Sequence, residues 1–236
     1  MKTYYEQLGE GSSAIIYLHG WGASGSIFRE VAKRLPEYSN YLIDFAGFGQ
    51  SEPPSLEGWT VFDYAEQLIG FMSEQGIDSA TLVGHSFGCR VAMVVAATRP
   101  ELVERLLLVA PAGLRRFSLK RWFKVKAYKL RKKLGFKSAE QSGSDDYRNC
   151  SDEMKRTFVK VVNQDLSRYA KRITSQTIIV NGRTDTATPL KHARRLNRLI
   201  KNSELVEING DHFAFFYVPQ AFADTVKIFV RQGVTS

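Results

Sequence analysis

Cysteine is almost missing. Cys89 and Cys150 are the two in 236 residues, too few for a disulfide-built fold. Cys89 lies in an apolar run and reads as a small buried residue. Long hydrophobic runs are missing too, and no stretch approaches the ~20 apolar residues of a bilayer span. Met1 to Gly11 shows no basic stretch followed by an apolar one, so no secretory leader is expected. A reducing, cytoplasmic setting is the expectation. Histidine is scarce, at four residues. Acidic residues are absent from one region: between Arg105 and Ala139 there are none, against 12 Lys or Arg.

That local gap explains the formal charge of +9. Residues 112–172 hold 18 basic and 6 acidic residues, a net of +12, while the rest holds 15 and 18, a net of −3. The basicity belongs to one segment. Without a recognition motif, nucleic acid is not an expected partner.

Hydrophobic residues make up 44% of the chain and charged residues 24%, an ordinary globular balance. Short apolar runs at Ala14–Leu18, Asn40–Asp44, Ala80–Gly84, Arg105–Ala110, Ser175–Asn181 and Leu205–Ile208 read as strands. Amphipathic stretches at Ser26–Leu35, Val61–Glu74, Phe87–Thr98, Leu190–Ile200 and Pro219–Val230 read as helices. Continuous apolar strands alternating with helices predict an α/β fold with a mostly parallel sheet covered on both faces. The roughly 60 residues after Val109 break this rhythm. They read as a helical insert, because neighbouring core strands seldom need so long a connection. The expected organisation is a core of residues 1–111 and 173–236 and a basic helical cap of 112–172. Within the cap, Ser151 is the expected N-cap of a helix with Glu153 or Met154 in its first turn, and this part is a candidate pocket roof.

Gly84-His-Ser-Phe-Gly88 sits between a strand and a helix. The glycines permit a sharp turn that presents Ser86 Oγ at a helix N-terminus, where the dipole favours developing negative charge. A serine hydroxyl needs a base. His212 leaves the carboxyl end of a strand, the edge where sites in such sheets form. His85 is expected to point away from the pocket, His192 to be exposed, and His19 to shape its own loop. A carboxylate must orient the base. Asp185 follows the strand ending near Val180 and is the candidate, with the alternative of a turn-capping Asp. Asp211 is adjacent to His212 and a poorer fit, and Asp44 reads as a loop organiser. Two N–H donors for an oxyanion are expected at Phe87 and, in His19-Gly-Trp-Gly22, at Trp21. Trp21, Phe87 and Phe213 are expected to contact an apolar acyl group.

Five segments in order carry a resemblance: His19-Gly-Trp-Gly, Asp44-Phe-Ala-Gly-Phe-Gly-Gln-Ser51, Gly84-His-Ser-Phe-Gly, Gly182-Arg-Thr-Asp185 and Gly210-Asp-His212. Over nearly its whole length the chain resembles the α/β-hydrolase superfamily. Within it, the chain is similar to the carboxylesterase branch that includes the pimeloyl-carrier-protein methyl ester esterases. The order Ser86, Asp185, His212 matches that superfamily's triad. Serine at 86 separates the chain from the dehalogenase and epoxide hydrolase branches, which place Asp there. The family's sheet often has eight strands with an N-terminal hairpin, but only about a dozen residues precede Ala14 here, so about seven strands are expected, with the cap inserted after the family's sixth. The resemblance also implies a serine hydrolase acting on esters, with no cofactor and no metal. The alternatives are carbon–carbon hydrolysis, lyase or peptidase chemistry, or a non-catalytic ligand-binding role.

The cap bears on substrate. Leu119, Trp122, Phe123, Leu130 and Leu134 recur near helical spacing among Lys and Arg. Three readings compete: a solvated helix packed on the core, a cap attracting an acidic small-molecule acyl substrate, and contact of residues 115–137 with an anionic membrane surface. The first is favoured and the last least.

Overall fold

The computed structural model describes residues 2–54, 57–114, 145–148 and 150–231. Seven strands form one sheet in the order β1-β3-β2-β4-β5-β6-β7. They are β1 (Tyr5–Leu8), β2 (Ala14–Leu18), β3 (Ser39–Ile43), β4 (Ala80–His85), β5 (Val103–Val109), β6 (Gln176–Gly182) and β7 (Ser203–Ile208). All neighbouring pairs are parallel except β1 with β3. Strand β1 was not among the expected apolar runs. As an antiparallel edge strand of half-buried residues it lacks the run that marks the buried strands.

The buried strands alternate between two cores. Ile16 and Leu18, Leu82, Leu106 and Leu108, and Ile179 face one layer. Ile15 and Tyr17, Val83, Leu107 and Val109, and Val180 face the other. Period-two alternation with both faces apolar is why these segments read as unbroken hydrophobic runs. The first layer is closed by α2 (Val61–Glu74), α3 (Phe87–Thr98) and α7 (Leu190–Leu199). The second is closed by α1 (Arg29–Ala32) and α8 (Pro219–Arg231). Helix α2 starts at a reciprocal capping box between Thr60 and Asp63.

The helix expected over Ser26–Leu35 is shorter, a 3-10 turn at Gly25–Phe28 followed by α1. Gly25 donates its N–H to Asp44 Oδ1 at 2.7 Å, and Pro36 prevents regular helix from continuing through Leu35. His192, expected to be exposed, is half-buried on α7.

Between β5 and β6 lie α4 (Asp145–Arg148), α5 (Asp152–Asn163) and α6 (Ser167–Ala170). Ser151 caps α5 through Met154 N–H, at the position expected. The strongly basic part of the expected cap, with Leu119 to Leu134 and the segment 115–137 weighed for membrane contact, lies outside the described residues. Helix α5 is tied down: Trp59 N–H donates to Thr157 Oγ1 at 2.9 Å, Val61 N–H to Gln164 Oε1 at 2.7 Å, and Lys160 Nζ to Gly58 O at 2.7 Å. Among the described residues no helix is long and apolar enough to cross a membrane.

Candidate active site

Ser86 sits between β4 and α3 at φ 49° and ψ −102°, one of two non-glycine residues with positive φ among those described. The flanking glycines make this turn possible. A Cβ at Gly88 would lie 2.0 Å from Leu18 O, and one at Gly84 would lie 2.9 Å from Cys89 N. The helix start is therefore pressed against the end of β2, and the two glycines are sites of close backbone approach. Ser86 N–H donates to Val109 O at 3.0 Å, fixing the turn to β5.

His212 and Asp185 come from the carboxyl ends of β7 and β6. Their loops meet because Gly182 has no side chain: a Cβ there would lie 2.3 Å from Gly210 O. His212 Nδ1 and Asp185 Oδ2 are 2.8 Å apart, and the Asp185 side chain is fully buried. Burial alone would raise the Asp185 pKa. Hydrogen bonds from His212 and from the Thr188 N–H and hydroxyl outweigh it and hold the carboxyl below its ordinary value. Asp211 is exposed and its Oδ1 accepts from Phe213 N–H at 2.9 Å, so its carboxylate serves its own turn.

Thr188 was not anticipated. Its N–H donates to Asp185 Oδ1 at 2.8 Å, and its hydroxyl lies 2.8 Å from Asp185 Oδ2, 3.0 Å from Ala110 O and 3.3 Å from His212 Nδ1. The Thr-Pro pair ahead of α7 was the available signal, since a threonine three residues after an Asp can close an Asx-type turn.

His19 shapes its loop as expected. Its Nε2 accepts from Phe45 N–H at 3.0 Å, so Nδ1 carries the proton given to Gly20 O at 2.8 Å. Asp44 organises the next loop, accepting from Gly25 N–H and from Gln50 N–H at 2.8 Å. His85 departs from expectation. It lines the cavity rather than pointing away from it, and its Nε2 lies 3.0 Å from His212 O. The reason is the tightness of the turn at Ser86. A Cβ on Gly20 would lie 2.8 Å from His85 Nδ1 and 3.6 Å from Ser86 Cβ, so the ring is wedged between the His19-Gly-Trp-Gly loop and the His212 loop.

Ser86, His212, Trp21, Phe87 and Phe213 line one cavity of about 400 Å³, within the size range of small-molecule sites. Phe158, Val161 and Val162 of α5 complete its wall, so the segment after Ser151 reaches the pocket. Trp21 packs edge-on against Phe48, Phe87 and Phe158. Phe87 opens α3, so its N–H has no partner within the helix.

The buried imidazoles make stability pH-dependent. Burial lowers His19 from 6.5 to about 4 and His85 from 6.5 to about 3. Both folded values lie below the unfolded one. Their contribution is therefore complete above pH 6.5 and is lost as pH falls toward 4, where the unfolded chain binds protons that the folded chain refuses. Each histidine contributes a slope of up to about 1.4 kcal/mol per pH unit in that window. Urea midpoints measured from pH 7 to 4.5 should fall steadily, and His85→Gln should remove part of the slope. A flat profile would contradict the assignment of both rings as neutral.

A family model described as alpha/beta hydrolase fold matches residues 13–161, well over half of the chain, and one described as TAP-like protein matches 139–235. Lipase LipV of Mycobacterium tuberculosis is 36% identical over 102 residues, covering 43% of this chain; the match spans 38% of the lipase's length. A pimeloyl-[acyl-carrier protein] methyl ester esterase of Photobacterium profundum is 26% identical over 94% of this chain and 96% of its own. Among solved structures, an enol-lactonase from Burkholderia xenovorans LB400 superimposes with a TM-score of 0.78 at 21% identity, covering 97% of this chain and 96% of that one, a likeness of fold. The chain belongs to the alpha/beta hydrolase fold family.

Proposed function

We propose that this family member is a serine hydrolase that cleaves a carboxylic ester, or a related acyl bond, of a small molecule through an acyl-enzyme intermediate. The observation that carries the reading is convergence. A serine on a strained strand-to-helix turn and a histidine hydrogen-bonded to a buried carboxylate line the same cavity.

In this reading Ser86 Oγ attacks the acyl carbonyl while His212 Nε2 takes its proton. Asp185 holds the Nδ1–H tautomer and stabilises the imidazolium. The N–H groups of Phe87 and Trp21 receive the oxyanion. Collapse of the tetrahedral intermediate expels the alcohol, which takes the proton from His212. Water, deprotonated by His212, then releases the acid and regenerates Ser86. Trp21, Phe87 and Phe213, joined by Phe158, contact the acyl group. The names of relatives such as the lipase and the methyl ester esterase support ester chemistry.

A fluorophosphonate probe should label Ser86, and p-nitrophenyl esters of graded chain length should be turned over. Labelling without ester turnover points to another use of the same triad. Absence of labelling in a folded sample overturns the serine-hydrolase reading.

A further inference from the structure

Arg90 lies four residues beyond Ser86 on α3, about 6 Å along the helix axis. It lines the same cavity as Ser86 and His212 and is half-buried. Its Nη1 donates to Val161 O and to Gln164 O, both at 3.1 Å, at the carboxyl end of α5. Among the described residues, Nε and Nη2 have no hydrogen-bond partner and no carboxylate forms an ion pair with the guanidinium. Asp165 contributes only a longer-range field.

A cation in this setting is costly. The surrounding wall is apolar, built from Phe158, Val161, Val162 and Phe87, and a charge partly withdrawn from water is favoured when it is paired. The carboxyl end of α5 supplies the equivalent of about half a negative charge. Burial lowers the Arg90 pKa to about 10, which leaves it charged at neutral pH. Of its five donors, Nη1 uses two. The remaining Nε and Nη2 edge has the fork geometry that matches a carboxylate with two parallel bonds.

We propose that the ester taken by this site carries a second, ionised carboxylate, and that Arg90 binds it through the unused Nε and Nη2 edge while Nη1 anchors α5. Arg90 thereby ties the α5 wall to recognition of an anionic substrate. The proposal rests on the serine-ester reading above and refines its substrate class to half-esters of dicarboxylic acids or their chemical equivalents.

The test is a series of methyl half-esters of straight-chain dicarboxylic acids, from succinate to suberate. Each is compared with the isosteric ester whose free carboxylate is replaced by a carboxamide. In the wild type, kcat/KM for the best half-ester should exceed that of its carboxamide by tenfold or more. In Arg90→Met that ratio should fall to about one, whatever the absolute rate, and Arg90→Lys should restore part of it. Should Arg90→Met fail to fold, inhibition of the wild type by the free dicarboxylate and by its monoamide gives the same comparison, and equal inhibition overturns the proposal. Turnover of half-ester and carboxamide at equal rates overturns the Arg90 assignment and leaves the ester reading standing. Failure to turn over either ester overturns this proposal, and when fluorophosphonate labelling is also absent the serine-ester reading falls with it.

Discussion

Replacing Ser86 with alanine is expected to lower kcat by about 10⁶-fold and to abolish fluorophosphonate labelling, while thermal unfolding stays close to that of the wild type. The size follows from the role proposed for Ser86 as the only nucleophile, because removal of a triad nucleophile costs about as much as removal of the whole triad. A second substitution separates chemistry from strain. The backbone at Ser86, at φ 49° and ψ −102°, is costly for any residue with a Cβ, by about 1–3 kcal/mol. Alanine keeps that strain and glycine releases it. Glycine also adds roughly 0.5–1 kcal/mol of chain entropy to the unfolded state. Ser86→Gly should therefore be equally inactive but more stable than Ser86→Ala by about 1 kcal/mol, a rise of about 2–4 °C in Tm for a domain of this size. A glycine variant that melts at or below the alanine variant would show that the turn is not a strained one.

What could be read from the chain depended on how each element is buried. Strands β2 to β6 carry side chains that are buried on both faces, so each appears as a compact apolar run, and their positions were predicted within about two residues. Edge strand β1 has half-buried residues and no run, and it went unseen. Helix α2 declares itself through the Thr60 and Asp63 box, and α5 through Ser151. The stretch from Ser26 had helical spacing, but tertiary contacts of Gly25 and the proline at 36 cut it into a turn and a single helical turn. Spacing records amphipathicity and carries no trace of a partner at a distant position.

The same limit governed the site. Ser86, Asp185 and His212 each follow the carboxyl end of a strand, and that topological position was legible. His85 was not, because its environment is created by two loops far from it in sequence, one before it at Gly20 and one after it at His212. Phe158 and Arg90 share part of that history: Phe158 meets Trp21, and Arg90 meets Gln164, across tens of residues of sequence, and those partners leave no local pattern.

Asp185→Asn is expected to reduce kcat by about 10⁴-fold with little loss of stability. The carboxylate accepts from His212 Nδ1 at 2.8 Å and from Thr188 N–H at 2.8 Å, with the Thr188 hydroxyl also within reach. An asparagine can still accept the Thr188 N–H through its carbonyl oxygen. Its amide nitrogen then faces His212 Nδ1 and donates to it. That forces the proton to Nε2, the nitrogen that must be free to deprotonate Ser86, and the imidazole is held in the unproductive tautomer. Geometry survives and basicity is lost. Thr188→Val separates the two roles of the threonine, since it keeps the backbone N–H bond and removes only the hydroxyl. One bond in a network that also holds Ala110 O at 3.0 Å is then lost, and kcat should fall by about tenfold, the equivalent of the roughly 1.4 kcal/mol carried by a hydrogen bond to a charged group. The measurement is single-turnover acylation of both variants across pH 6 to 9. If Asp185→Asn acylates within tenfold of the wild type, the base is oriented by some other group, and the assignment of Asp185 falls.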